Sequence, residues 1–131
     1  MDSPKLENMK LHLSAATTEN RFTGYGRGYV LVNNVRHEKN IVVLPERVMQ
    51  WNVAEFETLS LRDFEDLAKL APEIVLLGTG SSLRFPHPAL SQALARARIG
   101  LEVMNTPAAC RTYNILMAEG RKVVAALLVT E

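Results

Sequence analysis

One glycine- and hydroxyl-rich segment, Gly78-Thr79-Gly80-Ser81-Ser82, combines the residue types that can hold an anion or a carbonyl group. Glycines let backbone N–H groups approach a ligand closely, and Ser81, Ser82 and the following Arg84 add side-chain donors. The segment is neither a dinucleotide fingerprint nor a phosphate loop, because no G-x-G-x-x-G or G-K-S/T pattern follows. A tight turn that requires positive φ is the more common use of such glycines, and both interpretations stay open.

A second segment, 105–114, is predicted to open a helix, with Thr106 as its N-cap and Pro107 at the first helical position. The amide-rich start of a helix favours negative charge, and it can also lower the pKa of a thiol such as Cys110. No histidine or acidic residue at helical spacing accompanies Cys110, so a buried structural cysteine is the favoured interpretation. Arg111 and Asn114 could fix a ligand, although capping a loop or pairing with a carboxylate is their more common role.

Other kinds of site find little support in the sequence. His12, His37 and His87 fall in different predicted elements without ligand spacing, so no metal site is expected. No acid pair, Ser-His-Asp order or G-x-S-x-G elbow can be assembled from local spacing, and no cofactor is predicted. The single cysteine excludes an internal disulfide and a multi-cysteine zinc site, and it favours a reducing compartment.

The elements that must position these segments alternate between strand and helix. Asn33-Asn34 predicts the turn of a β-hairpin, and the stretch Glu46–Glu57, which contains Trp51, is predicted to be irregular. Glycines at every second position in 24–28 suggest a bend or a close backbone approach. The predicted elements are strands 29–32 and 40–45, helix 61–70, strand 74–77, helix 88–98, strand 101–104, a helix from 107 to 118 or 119, and strand 123–129.

Local signals predict the ends of two helices and the place of one strand. Ser60, with Asp63 three residues later, resembles a capping box at the start of helix 61–70, and Gly120 is expected to end the last helix. That last helix is apolar nearly all round, and the wholly apolar strand 123–129 is expected to be central in the sheet.

This order predicts a three-layer, single-domain α/β fold with a central mixed, largely parallel sheet, helices on its faces and an N-terminal β-hairpin. Residues 1–10 are expected to be loose, residues 11–131 to form the domain, and Leu11–Leu13 to be a short edge strand. A parallel sheet brings both segments to its carboxyl edge, where α/β folds usually bind ligands. The candidate pocket comprises Gly78, Thr79, Gly80, Ser81, Ser82, Arg84, Asn105, Thr106, Cys110, Arg111 and Asn114.

The composition limits the class of protein and its partners. The 131 residues are 47% hydrophobic and 22% charged, the balance of an ordinary globular domain. The formal charge of +1 supplies no strong field for gathering nucleic acid, so no nucleic-acid partner is expected. No signal or transit pattern opens the sequence, and no apolar run approaches the roughly 18 residues of a membrane span. These features predict a soluble, cytoplasmic protein.

The residues also resemble a known family. The resemblance lies in Ile74–Gly80, in Gly100–Met104, in Glu119-Gly120-Arg121 and most specifically in the Thr-x-x-Ala-Cys-x-Thr-Tyr-Asn pattern of 106–114. The chain is similar over about residues 11–129 to a small family of unknown function. That family includes the mitochondrial NADH:ubiquinone oxidoreductase (complex I) assembly factor three and an adipogenesis-associated single-domain protein. The resemblance implies a three-layer α/β fold around a mixed sheet, an assembly role in the mitochondrial relative, and no established catalytic residues.

Two functions follow as hypotheses. The first is a non-enzymatic, assembly-type factor that binds a protein of unknown identity, acting as a monomer or homodimer. The second is a small-molecule site, possibly enzymatic, where Gly78–Ser82 meets Asn105–Asn114 and Arg84 or Arg111 neutralises an anion.

Overall fold

A computed structural model describes residues 19–130, and its central element is a mixed sheet of five strands in the order β5-β4-β8-β6-β7. Strands β6, β7 and β8 are parallel, whereas β4 is antiparallel to both β5 and β8. The apolar run that forms β8 is buried on both faces, which confirms its predicted central place. The strands are β4 (Ile41–Leu44), β5 (Arg47–Gln50), β6 (Ile74–Gly78), β7 (Gly100–Met104) and β8 (Val123–Leu127).

A separate antiparallel sheet of three strands, in the order β1-β2-β3, precedes the central sheet in the chain. Its strands are β1 (Phe22–Gly26), β2 (Tyr29–Val32) and β3 (Val35–His37). The register of β1 against β2 is irregular between Phe22 and Gly24, at the start of the glycine series.

Helices cover both faces of the central sheet. On one face α1 (Leu61–Ala68) and α2 (Gln92–Arg96) bury Phe64, Leu67 and Leu94 against it. On the other face α3 (Thr106–Ala118) lies between the two sheets and packs against both through Tyr113. This position explains why α3 is apolar nearly all round. The predicted three-layer α/β domain with a mixed central sheet is confirmed.

The predicted helix ends are confirmed where local capping decides them. Ser60 and Asp63 form the expected capping box at the start of α1. Gly120, with φ of +80°, follows the end of α3, and its N–H donates to the carbonyl of Met117 at 2.9 Å. The predicted N-cap Thr106 is wrong by one residue, because the carboxamide oxygen of Asn105 accepts the N–H of Ala108 at 2.9 Å.

Three predicted elements require correction. The Asn33-Asn34 turn is present, with φ of +50° and +68°, but it joins β2 to β3 rather than to the strand that begins at Asn40. That strand, β4, instead pairs with β5, which lies in the stretch expected to be irregular. Only two apolar residues, Val48 and Met49, lie between Arg47 and Gln50 in β5, too few to form a recognisable strand pattern in the sequence. The helix predicted over 88–98 is a 3₁₀ turn (Pro88–Ser91) followed by the short α2.

Within residues 19–130, none of the helices has the length and apolar composition needed to cross a bilayer. The predicted edge strand Leu11–Leu13, the loose segment 1–10 and His12 lie outside the described residues.

Candidate functional site

The turns that follow β6 and β7 lie side by side at the carboxyl edge of the parallel strands. The N–H of Thr79 donates to the carbonyl of Met104 at 2.9 Å, and the N–H of Thr106 donates to the carbonyl of Gly80 at 2.8 Å. The N–H of Gly80 in turn donates to Thr106 Oγ1 at 2.8 Å. The two segments selected from the sequence therefore bond directly to each other, and we call this contact the junction.

Two glycines allow the junction to close, each for a different reason. A Cβ on Gly78 would lie 2.7 Å from Leu127 Cδ2, closer than real Cβ atoms come, and 3.1 Å from the backbone Cα of Thr106, which is also a tight contact. Gly80 has open space around it but adopts φ of +89°, which L side chains rarely tolerate. Both positions use glycine for backbone packing and conformation.

Buried hydroxyl groups complete the junction. Thr106 Oγ1 donates to the carbonyl of Leu128 at 2.8 Å while it accepts from Gly80. Thr79 Oγ1 donates to the carbonyl of Ser82 at 2.7 Å and accepts the N–H of Arg84 at 3.2 Å. These hydroxyls bind the protein's own backbone and hold the turn after β6 in place.

The start of α3 has its amide groups occupied by the protein itself. The N–H of Thr106 bonds to Gly80, Pro107 has no N–H, and the N–H groups of Ala108 and Ala109 both bond to Asn105. An anion at this helix start would have to displace an internal hydrogen bond. The sequence predicts that the start of α3 attracts negative charge, but these amide groups are not free to donate to an anion.

The remaining α3 candidates face three different surroundings. Cys110 is 1% exposed, and burial raises the pKa of its thiol to about 12, so its neutral form persists near neutral pH. Asn114 accepts the N–H of Phe22 at 2.8 Å and donates to the Phe22 carbonyl at 2.7 Å, which ties α3 to β1. Arg111 is exposed, and its Nη1 donates to the hydroxyl of Tyr25 at 2.6 Å.

Arg84 lies in a small cleft of its own rather than beside Arg111. Its Nη1 is 2.7 Å from Glu57 Oε2, and its guanidinium lies 4.5 Å from the centre of the Phe56 ring. Ser81 and Ser82, both exposed, line this cleft of about 180 Å³. The positive charge of Arg84 is thus already paired with a carboxylate.

A larger cleft of about 420 Å³ opens on the other side of Gly80 and Ser81. Its second wall is the β1–β2 turn, residues 25–29. We call this larger cleft the hairpin cleft. Sequence reasoning missed Tyr25, Arg27 and Tyr29 as site residues. The alternating glycines at 24–28 signalled a close approach of this segment, but they did not reveal what it would approach.

The described residues include no group of three or more His, Cys, Asp or Glu side chains arranged to hold a metal ion.

The chain matches a known protein family over most of its length. Residues 22–128 match the family described as protein of unknown function DUF498/DUF598. The chain belongs to this family. The resemblance inferred from the sequence is therefore confirmed, and the DUF498/DUF598 region covers all eight strands described above.

Relatives of this DUF498/DUF598 chain are found in animals and bacteria. It is 39% identical to NADH dehydrogenase (ubiquinone) 1 alpha subcomplex assembly factor 3 of Mus musculus, across 78% of this chain and 56% of the mouse protein. The chain thus spans little more than half of that relative. It is 31% identical to an uncharacterized protein of Rhodobacter capsulatus, across 80% and 81% of the two chains. A crystal structure from Bordetella parapertussis superposes with a TM-score of 0.82 at 44% identity, covering 87% of this chain and 98% of that one.

Proposed function

We propose that this DUF498/DUF598 chain is a non-enzymatic assembly factor that binds a protein subunit of a respiratory NADH dehydrogenase. An assembly role is supported by its animal relatives, which are named as assembly factors of NADH dehydrogenase. The junction supports it further, because Thr79, Thr106 and Asn114 bond to the protein's own backbone and the Cys110 thiol is buried. We place its action in the cytoplasm, a reducing compartment that suits a protein with a single thiol.

The observation that carries the proposal is the pair of apolar side chains on the loop after β6. Leu83 is 50% exposed and Phe85 is 71% exposed, and we call these two residues the apolar pair. Arg84, between them, is anchored to Glu57 and Phe56. This anchor fixes the loop between Leu83 and Phe85, and both apolar side chains remain exposed to solvent. Aromatic side chains are enriched in protein–protein interfaces, so Phe85, with Leu83 beside it on a fixed loop, suits a pocket on a partner protein.

The test is genetic and uses the full chain in a host that has a respiratory NADH dehydrogenase. Deleting the gene should reduce the assembled enzyme on native gels and leave partial assemblies, and the wild-type gene should restore it. The double variant Leu83→Ser/Phe85→Ser should fold, because both side chains are exposed, but should fail to restore assembly. Normal assembly in the deletion strain contradicts the proposed target.

Ile115→Ser is the matched control for the apolar pair. Ile115 is 60% exposed on α3, so its replacement removes a comparable exposed apolar side chain from another part of the surface. This variant should restore assembly as well as wild type does. If the double variant restores assembly equally well, the apolar pair is not the docking surface.

A further inference from the structure

The hairpin cleft has the size and lining of a small-molecule site. Its volume of about 420 Å³ lies within the range of roughly 300–1,000 Å³ that is usual for ligand pockets. Its floor is formed by Leu128, Val129 and Pro107 at the carboxyl edge of the parallel strands, and the β1–β2 turn closes it from the other side. The floor is apolar, and the position is the one at which open α/β sheets usually bind ligands.

The mouth of the hairpin cleft is positively charged. Arg27 lines the cleft, and Arg111, which is next to the lining, donates a hydrogen bond of 2.6 Å to the hydroxyl of the lining residue Tyr25. Within residues 19–130, neither arginine forms an ion pair with a carboxylate, and none of the described residues that line the cleft is acidic. Arg84 differs, because Glu57 neutralises it in the neighbouring cleft.

Tyrosine side chains connect this charge to the apolar floor. Tyr25 accepts from Arg111 and keeps its own hydroxyl proton for donation to a ligand oxygen. The ring of Tyr29 lies over Gly26, where an added Cβ would clash with Tyr29 Cε1. The guanidinium of Arg36 lies 3.8 Å from the centre of the same ring and is itself paired with Glu38. The aromatic wall is therefore held in place by contacts within the hairpin.

We propose that the hairpin cleft binds a small organic anion: an apolar body that packs on Leu128, Val129 and Tyr29, with one carboxylate or phosphate group held by Arg27, Arg111 and the Tyr25 hydroxyl. Side chains supply this recognition in the proposal, because the amide groups at the start of α3 are already occupied. The charge selects an anion, and the apolar floor selects an aromatic or branched hydrocarbon body. This binding is independent of the apolar pair, so either proposal can fail without the other.

The experiment titrates the full-length, isotope-labelled chain with 2-naphthoic acid, 2-naphthyl phosphate and the neutral 2-naphthamide, and follows backbone amide shifts. The shifts caused by the two anions should fall on residues 25–29, on Ser81 and on Val129, whereas the amide should bind more weakly. The anion that binds more tightly identifies the preferred headgroup. If 2-naphthamide binds as well as both anions, or if shifts are absent or lie elsewhere, the proposal is wrong.

Variants separate the two parts of the ligand. Arg27→Gln and Arg111→Gln should each weaken anion binding by about threefold, and the double variant by about tenfold, as expected for exposed ion pairs. Arg84→Gln is the matched control and should leave the affinity unchanged, because that arginine faces the other cleft. Gly26→Ala should push the Tyr29 ring aside and weaken acid and amide alike. Equal affinity in the double arginine variant and in wild type would overturn the assignment of the anion to these arginines.

Discussion

Replacing Thr106 by valine tests whether its hydroxyl holds the junction together. Valine keeps the shape of threonine but removes Oγ1, which accepts the N–H of Gly80 and donates to the carbonyl of Leu128, each at 2.8 Å. The Leu128 carbonyl is buried, so losing its partner costs about 1–3 kcal/mol, whereas the half-buried Gly80 amide regains some contact with water. We expect Thr106→Val to lower the free energy of unfolding by about 2–3 kcal/mol.

The measurement is urea unfolding, with Thr106→Ser as the matched control. Serine keeps the hydroxyl and removes one methyl group, so its loss should be about 1 kcal/mol. Hydrogen exchange at the Gly80 amide should accelerate in the valine variant and stay slow in the serine variant, because only serine preserves the acceptor. A valine variant as stable as the serine variant, with slow exchange at Gly80, would refute the assigned role of the hydroxyl.

Three further predictions follow from the same contacts. Gly78→Ala should lower the free energy of unfolding in urea by about 1–3 kcal/mol, because the added Cβ would meet the backbone of Thr106. Gly100→Ala is the control. Its Cβ would have no neighbour closer than 3.6 Å, so the free energy of unfolding should change by less than about 1 kcal/mol. Asn114→Ala removes both side-chain hydrogen bonds to Phe22, so it should lower the free energy of unfolding by about 1–2 kcal/mol and speed amide hydrogen exchange in β1. Unchanged exchange in β1 would contradict this role of Asn114. Cys110 should react with iodoacetamide far more slowly in the folded than in the unfolded protein. Its folded pKa, about 12, lies above the ordinary value of 9.0, so stability should fall as pH rises through that interval, and less steeply in Cys110→Ala.

The parts of the fold that could be predicted are those that local patterns decide. The apolar runs of β6 and β8 predict buried strands, and the Ser60–Asp63 capping box predicts the start of α1. The hairpin formed by β2 and β3 shows the limit of such patterns. Asn33-Asn34 identifies the turn, but only the path of the chain shows that β3 ends after three residues and that the next strand joins the other sheet.

The site was harder to predict because its contacts connect residues far apart in the sequence. Tyr25 meets Arg111 across 86 positions, and Asn40 accepts the N–H of Val129 across 89. Asn40 is buried, and its carboxamide donates to the carbonyl of Val53 after β5 and accepts the N–H of Val129 after β8, yet nothing in its local sequence distinguishes it. Strand order brought the two segments of the junction together as expected, whereas no local pattern predicted that the β1–β2 turn would face them.

The junction also explains why the two proposed surfaces lie where they do. The N–H and hydroxyl groups of Thr79 and Thr106 bond within the protein, which fixes the chain at Gly80 and Ser81 as a thin wall between the hairpin cleft and the cleft of Arg84. In the two proposals, recognition comes from side chains beyond this wall: Arg27 and Arg111 at the hairpin cleft, and the apolar pair on the loop after β6. Because both surfaces depend on one wall, loosening it by Thr106→Val should weaken anion binding and assembly together. A change confined to Arg27 should weaken anion binding and leave assembly unchanged, and a change confined to Phe85 should impair assembly and leave anion binding unchanged.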